Sequence, residues 1–286
     1  MAVSAVLSPR SATEEDRSRL ANLLHFETHV HRHLDWRRPL DWLGYDPYLL
    51  LESGGRLLAA LVCPPDPPGV SWIRLFAATS RFDPNAAWGA LWPQAYSQLR
   101  ALSVQHAAAI PLQDWFRDIL AASQFAHTHN VVVLDWRPGA SPSPDGMGAT
   151  AGLRLMTEAD INGVVEVDRQ AFAPLWQNSN EAVGLAFKQA GLATVIEVEG
   201  RIAAFQISTR ASRGLHLARL ATHPDYQGRG LASSLVHHVQ QQVQDSPEDF
   251  LTVNTQDNNA PSLALYAKLG FALTCEQFPV FQFDLN

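Results

Sequence analysis

A strand that runs into a glycine-bearing turn and then straight into an amphipathic helix limits this chain's folding choices more than any other feature. It lies at Arg219-Leu220-Ala221-Thr222-His223-Pro224-Asp225-Tyr226-Gln227-Gly228-Arg229-Gly230-Leu231-Ala232-Ser233. The first turn of a helix carries N–H groups with no partner inside the helix, together with the positive end of the helix dipole. An anion is therefore well placed there. Gly228 and Gly230 present backbone without a Cβ, so a ligand can approach closely. The turn lacks the Gly-Lys-Ser/Thr ending of a nucleotide P-loop. It also lies far down the chain, where the three-glycine turn of a dinucleotide fold would not stand.

A second block follows at Asn259-Ala260-Pro261-Ser262-Leu263-Ala264-Leu265-Tyr266-Ala267-Lys268-Leu269-Gly270-Phe271. The order Gln227-x-x-Gly230-x-Ala232 and then Asn259 to Phe271 resembles the acetyl-CoA loop and the following helix of the GNAT N-acetyltransferase superfamily. The resemblance is specific over residues 152–286. It implies acetyl-CoA as co-substrate and transfer of an acetyl group to a primary amine by direct attack in a ternary complex. It implies that the backbone of Leu220, Ala221 and Thr222 pairs with the pantetheine arm. Gln227, Gly228, Arg229, Gly230, Leu231, Ala232 and Ser233 then surround the pyrophosphate, with Asn259 and Ser262 beside the arm.

The resemblance also proposes catalytic residues. Tyr266 matches the tyrosine that protonates the departing thiolate. His216 lies on the strand leading to the loop, where serotonin and histone acetyltransferases of the superfamily place a His or Glu base. Imidazole titrates near neutral pH and suits that task. Strand alternation places His216 on one face with Ala218, Leu220 and Thr222. Relatives that acetylate an N-terminal alanine often carry a glutamate twelve residues before the tyrosine. Asn254 stands there in this chain and cannot serve as a base. The segment after the first helix of the lobe shapes the acceptor site in the family, which makes Phe172 and Trp176, with Asn254, candidate substrate contacts. A non-catalytic acetyl-CoA sensor is the competing reading, and Asn254 leans toward it.

The 286 residues suit two domains, and 47% hydrophobic content supports a sizeable core. No apolar run is long enough to span a bilayer and no leader is evident, so a cytoplasmic protein without membrane partners is expected. The formal charge of −7, without a basic stripe, argues against nucleic acid. Cys63 and Cys275 match no metal or redox spacing and are expected to be small buried residues. His25, His29 and His33 would share a helix face only if one helix continued that far, and no carboxylate or cysteine joins them at matching spacing, so no metal site is expected. Trp36, Trp42, Tyr45 and Tyr48 crowd one stretch with Arg37 and Arg38 and are expected mainly to pack.

A Pro/Gly/Ser-rich stretch at 137–151 reads as a linker. The expected organisation is a degenerate GNAT-like lobe at 1–136 and an active lobe at 152–286. Each is an α+β unit with a mixed, mostly antiparallel sheet flanked by helices. The order of strands and helices repeats between the halves, which reads as a duplication. Asp83, Pro84 and Ala86 fall opposite Gln227, Gly228 and Gly230, and Leu120 falls opposite Tyr266. A proline removes a needed N–H and an aspartate repels phosphate, so the first lobe is expected to bind CoA poorly or not at all. A monomer or homodimer fits this organisation.

Overall fold

The computed structural model, which describes residues 7–139, 151–211, 214–243 and 250–285, contains one local network built twice. Arg154 donates to both oxygens of Asp160 at 2.8 Å and to Glu197 at 3.0 Å. Arg10 donates to both oxygens of Asp16 at 2.7 Å and to Glu52 at 2.7 Å. Thr13 and Thr157 each give a backbone N–H to the aspartate three residues on, at 3.0 and 2.8 Å. A constant spacing of 144 residues relates Arg10 to Arg154, Thr13 to Thr157 and Asp16 to Asp160. The arginine side chains are 39% and 40% exposed, so the ion pairs alone contribute only ~0–1 kcal/mol. Capping contributes about as much again, since each aspartate closes the start of a helix. The bound arginine holds both carboxyls well below the usual carboxylate range.

The chain forms two compact units, residues 1–128 with 279–286, and residues 129–278. In chain order the first contains β1 (Arg10–Ser11), α1 (Arg17–Phe26), β2 (His29–Arg32), β3 (Tyr48–Ser53), β4 (Arg56–Val62), β5 (Val70–Trp72), β6 (Leu75–Ala78), α2 (Pro84–Ala101), β7 (His106–Ala109) and α3 (Asp114–Ala122). The strand β8 (Ala126–Trp136) begins there and continues in the second unit. Five strands pair in the order β1-β3-β4-β6-β2. Successive leucines of β3 serve opposite faces: Leu50 packs with Leu20, Trp42 and Leu75, while Leu49 and Leu51 pack with Phe76, Trp88 and Phe116. Cover on both faces explains why this strand is apolar without alternation.

The second unit contains the rest of β8, then β9 (Leu153–Leu155), α4 (Ile161–Ala171), α5 (Asn180–Lys188), β10 (Leu192–Val198), β11 (Arg201–Ala211), β12 (Gly214–Thr222), α6 (Leu231–Val243), β13 (Phe250–Gln256), α7 (Ala260–Lys268) and the first half of β14 (Ala272–Asp284). Its strands run in the order β14-β8-β13-β12-β11-β10-β9, antiparallel except for β12 and β13. Leu215, Leu217, Leu251 and Val253 meet Val236, Val239 and Val243 of α6, Tyr266 of α7 and Leu269 just beyond it. Residues of α4 lie against β11 and β12. No helix among the described residues is long and apolar enough to cross a membrane.

Both units part a pair of parallel strands at the same place. In the second, β12 and β13 pair from Gly214 with Phe250 to Leu217 with Val253 and then separate. In the first, β5 and β7 pair from Val70 with His106 to Trp72 with Ala108, the same register 144 residues earlier. The chain then resumes as β6, whose residues 75–78 correspond to 219–222. Here the units differ. Strand β2 fills the opened edge of β6, His29 against Ala78 through Arg32 against Leu75. Among the described residues no strand fills the corresponding edge of β12.

Several expectations are revised. The compact units do not follow the expected boundaries at 136 and 152, because residues 131–136 pair with β13 and residues 281–284 pair with β7. Each unit is thus completed by a strand from the other half of the sequence. Most of the expected linker, 140–150, lies outside the described residues. His29 and His33 do not continue a helix with His25, since α1 stops at Phe26 and β2 follows. His29, His31 and His33 instead pack on Trp115, Phe116 and Trp72, at 5.2, 4.4 and 4.8 Å between ring centroids. Cys63 is buried as expected, whereas Cys275 is exposed because it lies on the solvated part of β14.

The exchange of strands predicts how the chain tolerates truncation. A fragment of 152–286 lacks β8 and leaves β13 with an open edge, so it should aggregate or melt well below the full protein. Restoring residues 129–139 at its N-terminus should recover soluble, cooperative unfolding. Equal thermal stability of the two fragments by circular dichroism would contradict this.

Candidate acyl-transfer site

The site begins at the fork where β12 leaves β13. A bulge sets it: Ile207 pairs with Arg219 and Ser208 with Leu217, which leaves Ala218 as an extra residue in β12. An extra residue bends its strand and breaks the alternation of faces. His216 therefore does not share a face with Leu220 and Thr222, as simple alternation would have it. Leu215 and Leu217 before the bulge, and Leu220 after it, all pack on the α6 side. His216 before the bulge and Arg219 after it fall on the α4 side.

Beyond the fork, among the described residues, a strand pairs with β12 on one side only. His223 N–H donates to Ala203 at 2.8 Å, which fixes the phase of the antiparallel ladder with β11. Alternation then turns the N–H and C=O of Ala221 toward β11, and those of Leu220 and Thr222 toward the opening. Thr222 Oγ1 is buried there with no protein partner. Gln227 Nε2 donates to Thr222 O at 3.3 Å and folds the turn over the strand end. Gly228 and Gly230 have φ of +75° and +78°, and a Cβ added at Gly228 would meet nothing within 4 Å. The first helical bond of α6 runs from Ser234 N–H to Gly230 O at 3.0 Å. The N–H groups of Leu231, Ala232 and Ser233 precede it and have no carbonyl inside the helix. Arg229 is exposed, donates to Asp225 O at 3.1 Å and lies 5.1 Å from the Tyr226 ring. An extended amide chain ending in a pyrophosphate fits this combination of free strand edge, buried hydroxyl and N–H cradle.

Across the fork, Asn259 caps α7 by accepting Ser262 N–H at 3.3 Å, which commits one side-chain oxygen to the helix. Asn254 is exposed on β13, opposite Val133 of β8. Tyr266 is 4% exposed, with its ring 5.4 Å from that of Phe271, and burial raises its phenol above the ordinary range. His216 is paired in register with Thr252, and its Nδ1 lies 2.8 Å from Thr252 Oγ1. Burial lowers its imidazole below 6.5, so the neutral ring prevails at pH 7. When Nδ1–H donates to Thr252, Nε2 keeps a lone pair for a proton. Sequence reading missed Thr252, which reaches His216 only through a parallel pairing 36 residues away.

The acceptor-side segment after α4 is organised by two further residues that sequence reading missed. Arg219 Nε donates to Asp168 Oδ2 at 2.7 Å, and Arg219 Nη2 donates to Trp176 O at 2.5 Å. The other oxygen of Asp168 accepts Asn178 N–H at 2.8 Å. The guanidinium carbon of Arg219 lies 3.6 Å from the centroid of the Phe172 ring. Asp168 is fully buried, and removing one partner of a buried ion pair costs about 3–5 kcal/mol. Phe172 and Trp176 both belong to this segment, Phe172 beneath the guanidinium and the Trp176 ring 5.7 Å from His129 of β8. Among the described residues no group of three or more His, Cys, Asp or Glu side chains is placed to hold a metal.

The geometry defines a mixed α+β fold with a forked parallel strand pair. Residues 160–271, which span the fork, the turn and α7, match the Acetyltransferase (GNAT) family. The second unit therefore carries a GNAT acetyltransferase domain. A [ribosomal protein bS18]-alanine N-acetyltransferase of Escherichia coli K12 is 27% identical over 112 residues, 39% of this chain and 74% of that protein. A GCN5-related N-acetyltransferase from Sphaerobacter thermophilus superposes with a TM-score of 0.58 at 14% identity, covering 98% of this chain and 96% of the other. A tandem GNAT protein from the clavulanic acid biosynthesis pathway gives 0.57 at 15% identity, covering 98% of both. Both cover nearly the whole chain, so the first unit shares the GNAT fold as well.

The Thr252 contact makes a spectroscopic prediction. Thr252→Val should move neutral His216 from the Nδ1–H tautomer toward Nε2–H in 15N imidazole spectra. An unchanged tautomer would show that the hydroxyl does not set the ring.

Proposed function

We propose that the second unit transfers an acetyl group from acetyl-CoA to a primary amine by direct attack in a ternary complex. The observation that carries this reading is the one-sided edge of β12 leading into the Gly228–Ser233 cradle. Leu220 and Thr222 would pair with the pantetheine arm, with Ala221 between them. The N–H groups from Gly228 to Ser233, flanked by Gln227 and Arg229, would hold the pyrophosphate, and Asn259 and Ser262 would border the arm at the start of α7. Bound acetyl-CoA supplies the activated acyl carbon and a thiolate leaving group.

His216 Nε2 takes the proton released by the attacking amine, directly or through a water it orders. Tyr266 gives its phenolic proton to the departing sulfur and recovers one from solvent. A phenol near 10 and a thiol near 8.5 make that transfer mildly uphill in water. The apolar wall around Tyr266 raises the proton affinity of a thiolate as it does that of the phenolate, so burial of both leaves that difference much as in water. Phe172, Trp176 and Asn254 border the acceptor.

An α-amine near 7.7–8.0 is about a tenth neutral at pH 7, whereas a lysine amine near 10.4 is neutral in only about one molecule in a few thousand. A neutral imidazole suits the easier proton of an α-amine, while Asn254, standing where N-terminal-alanine acetyltransferases often carry a glutamate, argues the other way. With the activity named for the bS18-alanine relative, the imidazole favours an α-amine acceptor. The lack of a carboxylate at Asn254 also leaves room for a second reading, a sensor that binds acetyl-CoA without turnover. The first unit, whose edge is filled by β2, takes no CoA in either reading.

Calorimetry with acetyl-CoA should give one site per chain, lost in Gly230→Val. Two sites would contradict the reading of the first unit. Thiol release with alanine-initiated peptides should then fall by about 10²–10⁴-fold in Tyr266→Phe with CoA affinity retained. Full turnover in that variant removes the general-acid assignment, and binding without turnover on any amine selects the sensor. The acid limb of kcat/KM should lie below pH 6.5, because burial depresses His216. His216→Asn should displace the profile toward alkaline pH, and a superimposable profile would dismiss His216.

A further inference from the structure

We propose that Arg219 is a positioning residue that ties the cofactor strand to the acceptor-side segment 172–178, so that occupancy of one is felt by the other. The inference rests on the acetyl-CoA reading of the β12 edge. Arg219 is the residue immediately before Leu220, whose outward N–H and C=O form that edge. Its own backbone is turned toward β11, opposite Ile207. Its side chain leaves on the α4 face and makes three different contacts there. It forms an ion pair with buried Asp168 at 2.6 Å, donates to Trp176 O and stacks on Phe172.

Asp168 extends the hold by accepting Asn178 N–H, and Gln177 Nε2 donates to Phe172 O at 2.9 Å and to Arg169 O at 3.0 Å. These bonds fold the segment on itself and tie it to the end of α4, where Asp168 also receives Arg219. At its far end the Trp176 ring rests beside His129 of β8, next to β13. The segment thus reaches from one arm of the fork to beyond the other. The Arg219 side chain ties it to β12 through Asp168, Trp176 O and the Phe172 ring. An extended ligand pairing with Leu220 and Thr222 fixes the strand segment that bears Arg219. The guanidinium then fixes the Trp176 carbonyl and the Phe172 ring, which border the approach of the amine. Lysine in its place keeps the charge toward Asp168. It loses the flat face for Phe172 and the forked geometry that reaches Asp168 and Trp176 O together.

Chymotryptic cleavage after Phe172, Leu175 and Trp176, followed by mass spectrometry with and without acetyl-CoA, tests the coupling. In the wild-type protein acetyl-CoA should slow these cuts by about fivefold or more. In Arg219→Lys the apo protein should be cut faster, and acetyl-CoA should no longer slow cleavage although its affinity by calorimetry stays within about fivefold. Arg219→Gln should show the same with a larger apo rate. If it does not fold, the lysine variant decides alone. Protection by acetyl-CoA equal to wild type in the lysine variant would overturn the proposal. A segment whose apo cleavage is unchanged would do so as well. A clamp serving stability alone would lower the melting temperature and leave the acetyl-CoA-dependent protection intact. If the wild-type protein binds no acetyl-CoA, the acetyltransferase reading fails by itself, and the apo cleavage rates still decide whether Arg219 holds the segment.

Discussion

One extra residue in one strand organises the second unit of this protein. Ala218 has no partner in β11, and the bulge it makes bends β12 away from β13 just beyond Leu217 and Val253. A sheet continued without that bulge would bond both edges of β12 and offer nothing to a ligand. With it, two backbone residues turn their polar groups into an opening that leads to the N-terminus of α6. The same bulge reverses the faces of the strand. The apolar residues on either side of it meet α6, while His216 and Arg219 are delivered together to the α4 side.

The first unit shows what becomes of this design when it is closed. Its parallel pair parts in the same register, and its arginine–aspartate cap is built from residues at the same spacing. The chain then inserts β2 where the second unit stays open. The insertion places three histidines against aromatic rings, and burial lowers His31 to about 4 and holds His33 well below the ordinary imidazole range. The His31 and His33 imidazoles are therefore neutral packing groups at physiological pH. A strand that satisfies the edge of β6 removes the reason for a ligand to bind there, independently of Asp83 and Pro84.

Much of the second unit was legible because its signals are local. The glycines at 228 and 230, the cap at Asn259 and the block ending Tyr266-Ala267-Lys268-Leu269-Gly270-Phe271 lie within single strand–turn–helix or helix units. Asp168 and Arg219, 51 residues apart, carry no such signal, and neither does the pairing of Thr252 with His216. Alternation misplaced His216 because a bulge is invisible to a period of two. The helical reading of His25, His29 and His33 failed similarly. Their spacing fits a helix, but α1 ends at Phe26, and β2 takes its form from the edge it completes.

The amino-acid order by itself determined that this chain contains two units of like architecture, with a glycine-bearing strand–turn–helix in the second and Asp83-Pro84 at the matching place in the first. Those features are set by backbone conformations and helix ends that a few neighbouring residues dictate. Only the tertiary structure decided which strand completes which sheet, which edge stays open and which side chains share the acceptor face. Strand exchange, the filling of the β6 edge and the Arg219–Asp168 contact all depend on pairing between residues remote in sequence. Hydrogen-bond satisfaction along open strand edges settles that pairing, and no local propensity encodes it.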